Sequence, residues 1–288
     1  MKLKLIIITF FSALTTFAQN KPAYLIFNKD GNQVTYNQMI DDFKSADMVF
    51  FGELHNNAIS HWLEFEVAKE LFAAYQQNLI IGAEMFEADN QIIIDEYMND
   101  LIDVKNFEEE CRLWPNYTTD YKPILEYAKT NSITLIATNI PRRYASIVYK
   151  KDFVGLNNLS DQAKKYIAPL PITFDPTVDC YQQMIQGMMS MGGHGSTNIA
   201  KAQAVKDATM AYFILQNWQK GKVFYHFNGS YHSDNHEGIC WHISQTNPNI
   251  KMITISTVLQ ENISTLSDDY IGIADYIICV PEDMTTTY

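Results

Sequence analysis

Cysteine is scarce in this chain of 288 residues, and its four copies are widely spaced. They stand at Cys111, Cys180, Cys240 and Cys279. This irregular spacing excludes a disulfide scaffold and a zinc ribbon, which need many or closely paired cysteines. Disulfides and buried free thiols both remain open for the four. No cysteine precedes Cys111, so we expect no lipid on a cysteine at the start of the mature chain.

Positive charge is also in short supply. The chain has 21 Lys and Arg against 33 Asp and Glu, which gives a net charge of -12 at pH 7. Nucleic acids and anionic membranes are bound through clustered Lys and Arg, so the composition argues against both as partners.

Long hydrophobic runs are missing apart from the stretch from Leu5 to Leu14. A bilayer crossing takes about 20 apolar residues, so this stretch is too short to span a membrane. It follows Lys2 and Lys4 and precedes small residues around Ala18, the pattern of a secretory signal peptide. The sequence predicts a signal peptide over residues 1–18 and a mature protein exported to the periplasm, to the surface or out of the cell.

Short runs of β-branched and aromatic residues alternate with stretches of helical periodicity. This alternation predicts an α/β fold with a mostly parallel central sheet flanked by helices. Strand signals disappear between about residues 144 and 200, where we expect a helical lobe inserted over the carboxyl edge of the strands. Residues 19–288 are predicted to form a single domain that includes this lobe.

Four of the hydrophobic runs end in polar groups, and two of them end in the same word, Gly-x-x-His. Carboxyl ends of parallel strands line the ligand crevice of an open α/β sheet, so these groups are expected at one edge. The set comprises Glu53, His55, Glu84, Asn139, Arg142 or Arg143, and His232.

This set could bind a divalent metal ion, Zn²⁺ or Mn²⁺, through His55, Glu84 and His232. Glu53 would then serve as a further ligand or as the base that deprotonates a metal-bound water. Arg142 or Arg143 would stabilise an oxyanion or hold a carboxylate. The alternative prediction for each of these residues is a structural role, as a hydrogen-bonding group at the end of a strand. Structural roles are predicted for the other histidines outside the lobe: His61, His226, His236 and His242.

A second group of residues lies in the lobe and in the long helix predicted after it. It comprises Tyr181, His194, Gln203, Asp207 and Met210. Gln203 and Asp207 are four residues apart and share one helix face. The structural interpretation is that this face is exposed to solvent. The functional reading is an apolar cleft in which a Tyr or His reaches a haem iron.

The motifs in their order resemble the ChaN-like haem-binding uptake family, and through the two Gly-x-x-His words also the wider group of Tiki metalloproteases, TraB proteins and erythromycin-esterase-like enzymes. The resemblance runs from about Asp47 to Ile243. It rests on Gly52-Glu53-Leu54-His55, Gly82-Ala83-Glu84-Met85-Phe86, Asn139-Ile140-Pro141-Arg142-Arg143, the segment from Tyr181 to Gly195, Ala202-Gln203 with Asp207-Ala208-Thr209-Met210-Ala211, and Gly229-Ser230-Tyr231-His232.

This resemblance implies an exported protein that binds haem and works with other components of haem or iron uptake. Members of the family can bind haem through a tyrosine in a dimer, which implies a homodimer. It implies Tyr181 as the iron ligand, with His194 as second candidate and Arg142 or Arg143 near a propionate. Two hypotheses therefore remain: a haem-binding protein, and a metal-dependent hydrolase that uses the strand-end residues.

Overall fold

The computed structural model describes residues 21–190 and 197–288, so the predicted signal peptide lies outside the described residues. The strands are β1 (Leu25–Asn28), β2 (Gln33–Val34), β3 (Met48–Glu53), β4 (Leu79–Glu87), β5 (Thr134–Asn139), β6 (Val223–Gly229), β7 (Met252–Gln260) and β8 (Tyr276–Pro281). The helices are α1 (Tyr36–Phe43), α2 (Ala58–Tyr75), α3 (Gln91–Met98), α4 (Val104–Glu110), α5 (Lys122–Thr130), α6 (Arg142–Lys151), α7 (Asp161–Lys164), α8 (Asp179–Ser190), α9 (Asn198–Asn217) and α10 (Ile239–Thr246).

All eight of these strands join one sheet in the order β2-β1-β8-β7-β3-β6-β4-β5. Strands β3 to β8 run parallel to one another, and β1 pairs antiparallel with both β8 and β2. The predicted α/β class and mostly parallel sheet are confirmed. We call the end where the parallel strands finish the carboxyl edge. The three central strands β3, β6 and β4 bring their last residues together there.

Strand β3 shows why the central runs are hydrophobic without a break. Val49 and Phe51 pack on one face against the cluster that includes helices α2 and α5. Met48 and Phe50 pack on the other face in the cluster that includes α9 and α10. Because successive side chains of a strand point to opposite faces, a strand covered on both faces needs an apolar residue at every position.

Helix α2 begins close to the carboxyl edge, and a local hydrogen bond sets where it starts. The side chain of Asn57 accepts a hydrogen bond from the backbone N–H of Ser60, which caps the helix. This start places His61 and Glu64, one helical turn apart, in the first two turns, beside the end of β3. Apolar residues at helical spacing, such as Ile59, Leu63 and Val67, predict a helix over residues 57–76, and the structure has it within one residue of each end.

The lobe predicted over residues 144–200 is helical in its described part, where α6, α7 and α8 lie. Helix α8 packs on the first half of α9 around Tyr181, Ala200 and Ala204. The Tyr231 hydroxyl, just beyond β6, donates to the carbonyl oxygen of Cys180 at 2.6 Å, so the lobe contacts the carboxyl edge. No helix within residues 21–190 and 197–288 has the length and apolarity needed to cross a membrane.

Candidate functional site

The two Gly-x-x-His words lie side by side because β3 and β6 are parallel neighbours. Glu53 of the first word pairs in register with Gly229 of the second. A Cβ on Gly52 would lie 2.9 Å from the Cα of Ser230, and a Cβ on Gly229 would lie 2.8 Å from the His55 ring. Each glycine therefore makes room for the other word, which explains why both words carry one.

His232 lies buried between two carboxylates that come from different elements. Its Nε2 donates to Glu84 Oε1 of β4 at 3.1 Å, and its Nδ1 pairs with Asp207 Oδ1 of α9. The Gln203 side-chain amide also contacts this ring, at 3.0 Å. Gln203 and Asp207 share one helix face as predicted, and that face is turned towards His232 rather than towards solvent. The remaining oxygen of Glu84 accepts the N–H of Gly229 at 2.8 Å.

These contacts stabilise the protonated, positively charged form of His232. Burial by itself lowers the pKa of the imidazole, but the Glu84 and Asp207 carboxylates outweigh it and raise the pKa to about 10. Burial likewise favours the neutral form of Glu84, and His232 more than offsets this, so the pKa of Glu84 is lowered. His232, Glu84 and Asp207 therefore form a charged, internally paired group.

We expect wild-type stability to fall as pH rises above 6.5, because the pKa of His232 is raised from its ordinary value of 6.5 to about 10 in the fold. Stability from the charged ring is complete below pH 6.5 and is lost as pH rises towards 10. Urea unfolding at pH 6.5–8.5 should show a shallower fall for His232→Gln than for wild type.

The matched control for this pH series is His236→Gln. His236 pairs with Asp275 at 3.0 Å, but its side chain is 40% exposed. Its removal should leave the slope of unfolding free energy against pH close to that of wild type. Equal slopes for His232→Gln and wild type would contradict the assignment of a charged His232.

His55 also lies next to Gly229 and is likewise positioned by a carboxylate. Its Nδ1 donates to Glu53 Oε1 at 2.7 Å, and the same oxygen accepts the Tyr121 hydroxyl at 2.7 Å. Its ring packs edge-on against Trp114 at 4.9 Å between ring centres. The ring is 38% exposed, so its other nitrogen is accessible from outside. Burial lowers the pKa of His55, while Glu53 and then Glu84 raise it, and the net effect is a raised pKa.

A cleft of about 410 Å³ opens in front of His55. Its lining combines apolar and aromatic side chains with two cations, Arg142 and Lys206, and two carboxylates, Glu84 and Glu87. The lining residues are His55, Glu84, Glu87, Leu113, Trp114, Pro115, Asn139, Ile140, Arg142 and Lys206. Asn139 is fixed by donating to the carbonyl oxygen of Glu84 at 3.0 Å. The edge predicted from the strand ends is thus the wall of a cleft.

The two adjacent arginines differ in their surroundings. Arg143 forms an ion pair with Asp89 at 2.6 Å and lies over the Tyr144 ring at 4.4 Å. Arg142 lines the cleft and forms no ion pair with any residue of the described ranges. Of the pair, only Arg142 has its charge available to a ligand in the cleft.

Tyr181 and His194 are the two predicted iron ligands, and the structure describes the surroundings of Tyr181. Tyr181 is buried, with its hydroxyl donating to Asp207 Oδ2 at 2.8 Å and lying 3.3 Å from His242 Nε2. Burial, followed by the Asp207 charge, raises the pKa of this phenol strongly. His194 lies outside the described residues. The iron-ligand roles of both stay predictions.

His55, Glu84 and His232, the predicted metal ligands, do lie around Gly229. Both oxygens of Glu84 and the Nδ1 of His232 already have protein partners there, and the metal role of the three stays a prediction. Sequence reasoning treated His61 as structural, yet His61 lies buried between Glu53 and Glu64. The signal for it was a His-x-x-Glu spacing on a helix that follows a strand ending in glutamate.

Two solved structures are similar to this chain. The structure of ChaN from Campylobacter jejuni with cofacial haem binding is 17% identical, covers 88% of this chain and 96% of its own, and superposes with a TM-score of 0.66. An erythromycin esterase variant in its open conformation is 10% identical and covers 91% of this chain and 98% of its own, with a TM-score of 0.49.

A curated plant protein also matches part of the sequence. RETICULATA-RELATED 5, a chloroplastic protein of Arabidopsis thaliana, is 24% identical over 194 residues and 60% of this chain. The match spans only 25% of that protein's length. The family model described as haem-binding uptake, Tiki superfamily, ChaN matches residues 39–243, which contain both Gly-x-x-His words and the helical lobe. This chain therefore belongs to the ChaN family of the Tiki superfamily.

Proposed function

We propose that this protein binds haem at its carboxyl edge and takes part in haem or iron uptake after export. The observation that carries this proposal is the cleft in front of His55, which combines apolar walls, two cations and a partly exposed imidazole. Family membership supports the same ligand.

The lining of the cleft suits the chemistry of haem. Leu113, Trp114 and Ile140 offer apolar surface to the macrocycle, and Arg142 and Lys206 offer positive charge to its propionates. Haem, when bound, supplies an iron centre that takes an axial ligand from the protein.

Three side chains are candidates for the ligand of the haem iron. Tyr181 and His194 follow from the family resemblance. Ligation by Tyr181 requires its hydroxyl to leave Asp207. His55 already lines the cleft with a free ring nitrogen, and we add it as the third candidate.

A haemin titration of the mature chain, residues Gln19 to Tyr288, tests the proposal by absorbance and by mass in solution. We expect saturation near one haem per chain, with a shift to dimer. Replacing the true axial ligand should change the Soret band and weaken binding at least ~10-fold, because iron ligation fixes the haem. The variants to compare are Tyr181→Phe, His194→Ala and His55→Ala.

Arg142→Ala and Arg143→Ala form a matched pair for the propionate contact. Loss of Arg142 should weaken haemin binding by about 3–10-fold, because Arg142 is exposed and one hydrogen bond contributes a net ~0.5–1.5 kcal/mol. Loss of Arg143 should have little effect, since Asp89 already holds it. Weak, unsaturable binding by the wild-type chain would overturn the haem proposal.

A metal-dependent hydrolase is the second candidate, and one observation favours it. Two histidines, each positioned by a carboxylate, flank Gly229 with Glu84 between them. In this reading His55, Glu84 and His232 bind Zn²⁺ or Mn²⁺, and Glu53 acts as the base. An ion that is lost in His232→Gln, together with metal-dependent hydrolysis, would support it.

A further inference from the structure

Three potential metal ligands converge next to His55, and none of them lines the cleft. Glu53 ends β3, and His61 and Glu64 follow on α2. His61 Nδ1 lies 3.3 Å from Glu53 Oε2 and 3.5 Å from Glu64 Oε2, and the three ligand atoms all lie within 4.8 Å of one another. Glu53 and Glu64 are each 1% exposed, and His61 is 6% exposed.

Each of these three atoms is buried and lacks a hydrogen-bond partner among the described residues. A buried polar atom without a partner costs about 1–3 kcal/mol, so three together are unexpected unless a group lies between them. A single proton on His61 Nδ1 can form a hydrogen bond with one carboxylate at a time. A cation at the centre of the group binds Glu53, His61 and Glu64 at once.

The spacing also fits an ion. Ligand atoms about 2.1 Å from a tetrahedral Zn²⁺ stand about 3.4 Å apart. The two distances from His61 Nδ1, 3.3 Å and 3.5 Å, agree with that separation. Two carboxylates and one neutral imidazole carry two negative charges, which a divalent ion balances.

The outer contacts of this group match those of a metal-binding histidine. The Nε2 of His61 lies 3.1 Å from the carbonyl oxygen of His55 and 3.4 Å from Asp120 Oδ2, so its N–H donates on that side. This tautomer leaves the Nδ1 lone pair facing Glu53 and Glu64. Metal-bound histidines usually donate their second ring N–H to a carbonyl or a carboxylate. The other oxygen of Glu53 accepts from Tyr121, which fixes that carboxylate.

We propose that Glu53, His61 and Glu64 bind a divalent transition-metal ion, Zn²⁺ or Mn²⁺, in the protein interior. Imidazole and carboxylate together suit these ions. The ion ties the end of β3 to α2 and holds the carboxylate that positions His55. This site shares Glu53 with the strand-end set but does not use His55, Glu84 or His232, and it does not depend on haem binding.

Metal-free wild-type protein, titrated with Zn²⁺ and separately with Co²⁺, tests this site. We expect one ion per chain at this site, a visible Co²⁺ absorption and a higher unfolding temperature with Zn²⁺. Glu64→Gln, which keeps the shape of the side chain, should weaken binding at least ~10-fold and remove both signals, since it removes one of three ligands. Glu70→Gln, at an exposed position of the same helix, should bind as wild type does.

Two further variants separate the site from its neighbours and from loss of folding. His232→Gln should keep the ion, because the ring of His232 contacts Glu84, Asp207 and Gln203 and none of the three ligands. Glu64→Asp, which retains the charge, should keep the Co²⁺ signal with reduced affinity. Failure of the folded wild type to bind either ion would overturn the proposal. So would an ion that persists in Glu64→Gln and disappears in His232→Gln. Neither result would bear on the haemin titration.

Discussion

Replacing Asp207 by alanine is expected to lower the free energy of unfolding by about 3–5 kcal/mol, the usual cost of breaking a buried ion pair from one side. Asp207 is 1% exposed and holds two buried groups, the ring of His232 and the hydroxyl of Tyr181. Without it, His232 keeps only Glu84 as a charged partner. Urea unfolding at pH 7 measures the effect.

Two comparison variants show whether charge or packing is responsible. Asp207→Asn keeps the size and a hydrogen bond to Tyr181 but removes the charge beside His232, so an intermediate loss is expected. Gln216→Ala, at an exposed position of the same helix, should change stability by no more than about 0.5 kcal/mol. A loss below about 1 kcal/mol for Asp207→Ala would contradict a charged pair between Asp207 and His232.

Gly52→Ala is expected to destabilise the protein by about 3 kcal/mol, at the upper end for overpacking a well-packed interior. The added Cβ would lie 2.7 Å from the carbonyl oxygen of Ile255 and 2.9 Å from the Cα of Ser230. Both are backbone atoms, which cannot move away by a change of rotamer as side-chain atoms can. The strands β3 and β7 or the turn after β6 must therefore shift. Thermal and urea unfolding measure the loss.

The matched control is Gly187→Ala in α8, where an added Cβ meets nothing within 4 Å. Alanine has a higher helix propensity than glycine, so this variant should be more stable by about 0.5–1 kcal/mol. The two substitutions are chemically identical, and opposite signs would show that the neighbouring backbone decides the outcome. An unchanged stability of Gly52→Ala would mean that the two Gly-x-x-His words do not pack as closely as described.

Much of the fold follows from local pattern. Unbroken apolar runs predicted the central strands, since a strand covered on both faces shows no alternation. Helical spacing predicted α2 and α9 within a few residues of their ends. Strand order was not accessible in this way, because pairing between β3 and β6 joins residues 176 positions apart and has no local signature.

The candidate site was predictable in part. Polar residues at strand ends indicated that His55, Glu84 and His232 share one edge, and the structure places them around Gly229. The internal group of His61 and Glu64 was missed, because a His-x-x-Glu spacing also occurs on ordinary solvated helices. Its meaning depends on Glu53 ending β3 directly opposite that helix face.

By itself, the sequence determined the class of the fold, the run of strands and helices, and the edge where chemistry is concentrated. These depend on periodicity and on the rule that parallel strands end on the same side. Only the tertiary structure decided which charged groups meet: Asp207 with His232, Glu53 with His61, and Arg143 with Asp89 rather than with the cleft. Such pairs join distant segments, and their protonation depends on burial, which no local spacing encodes.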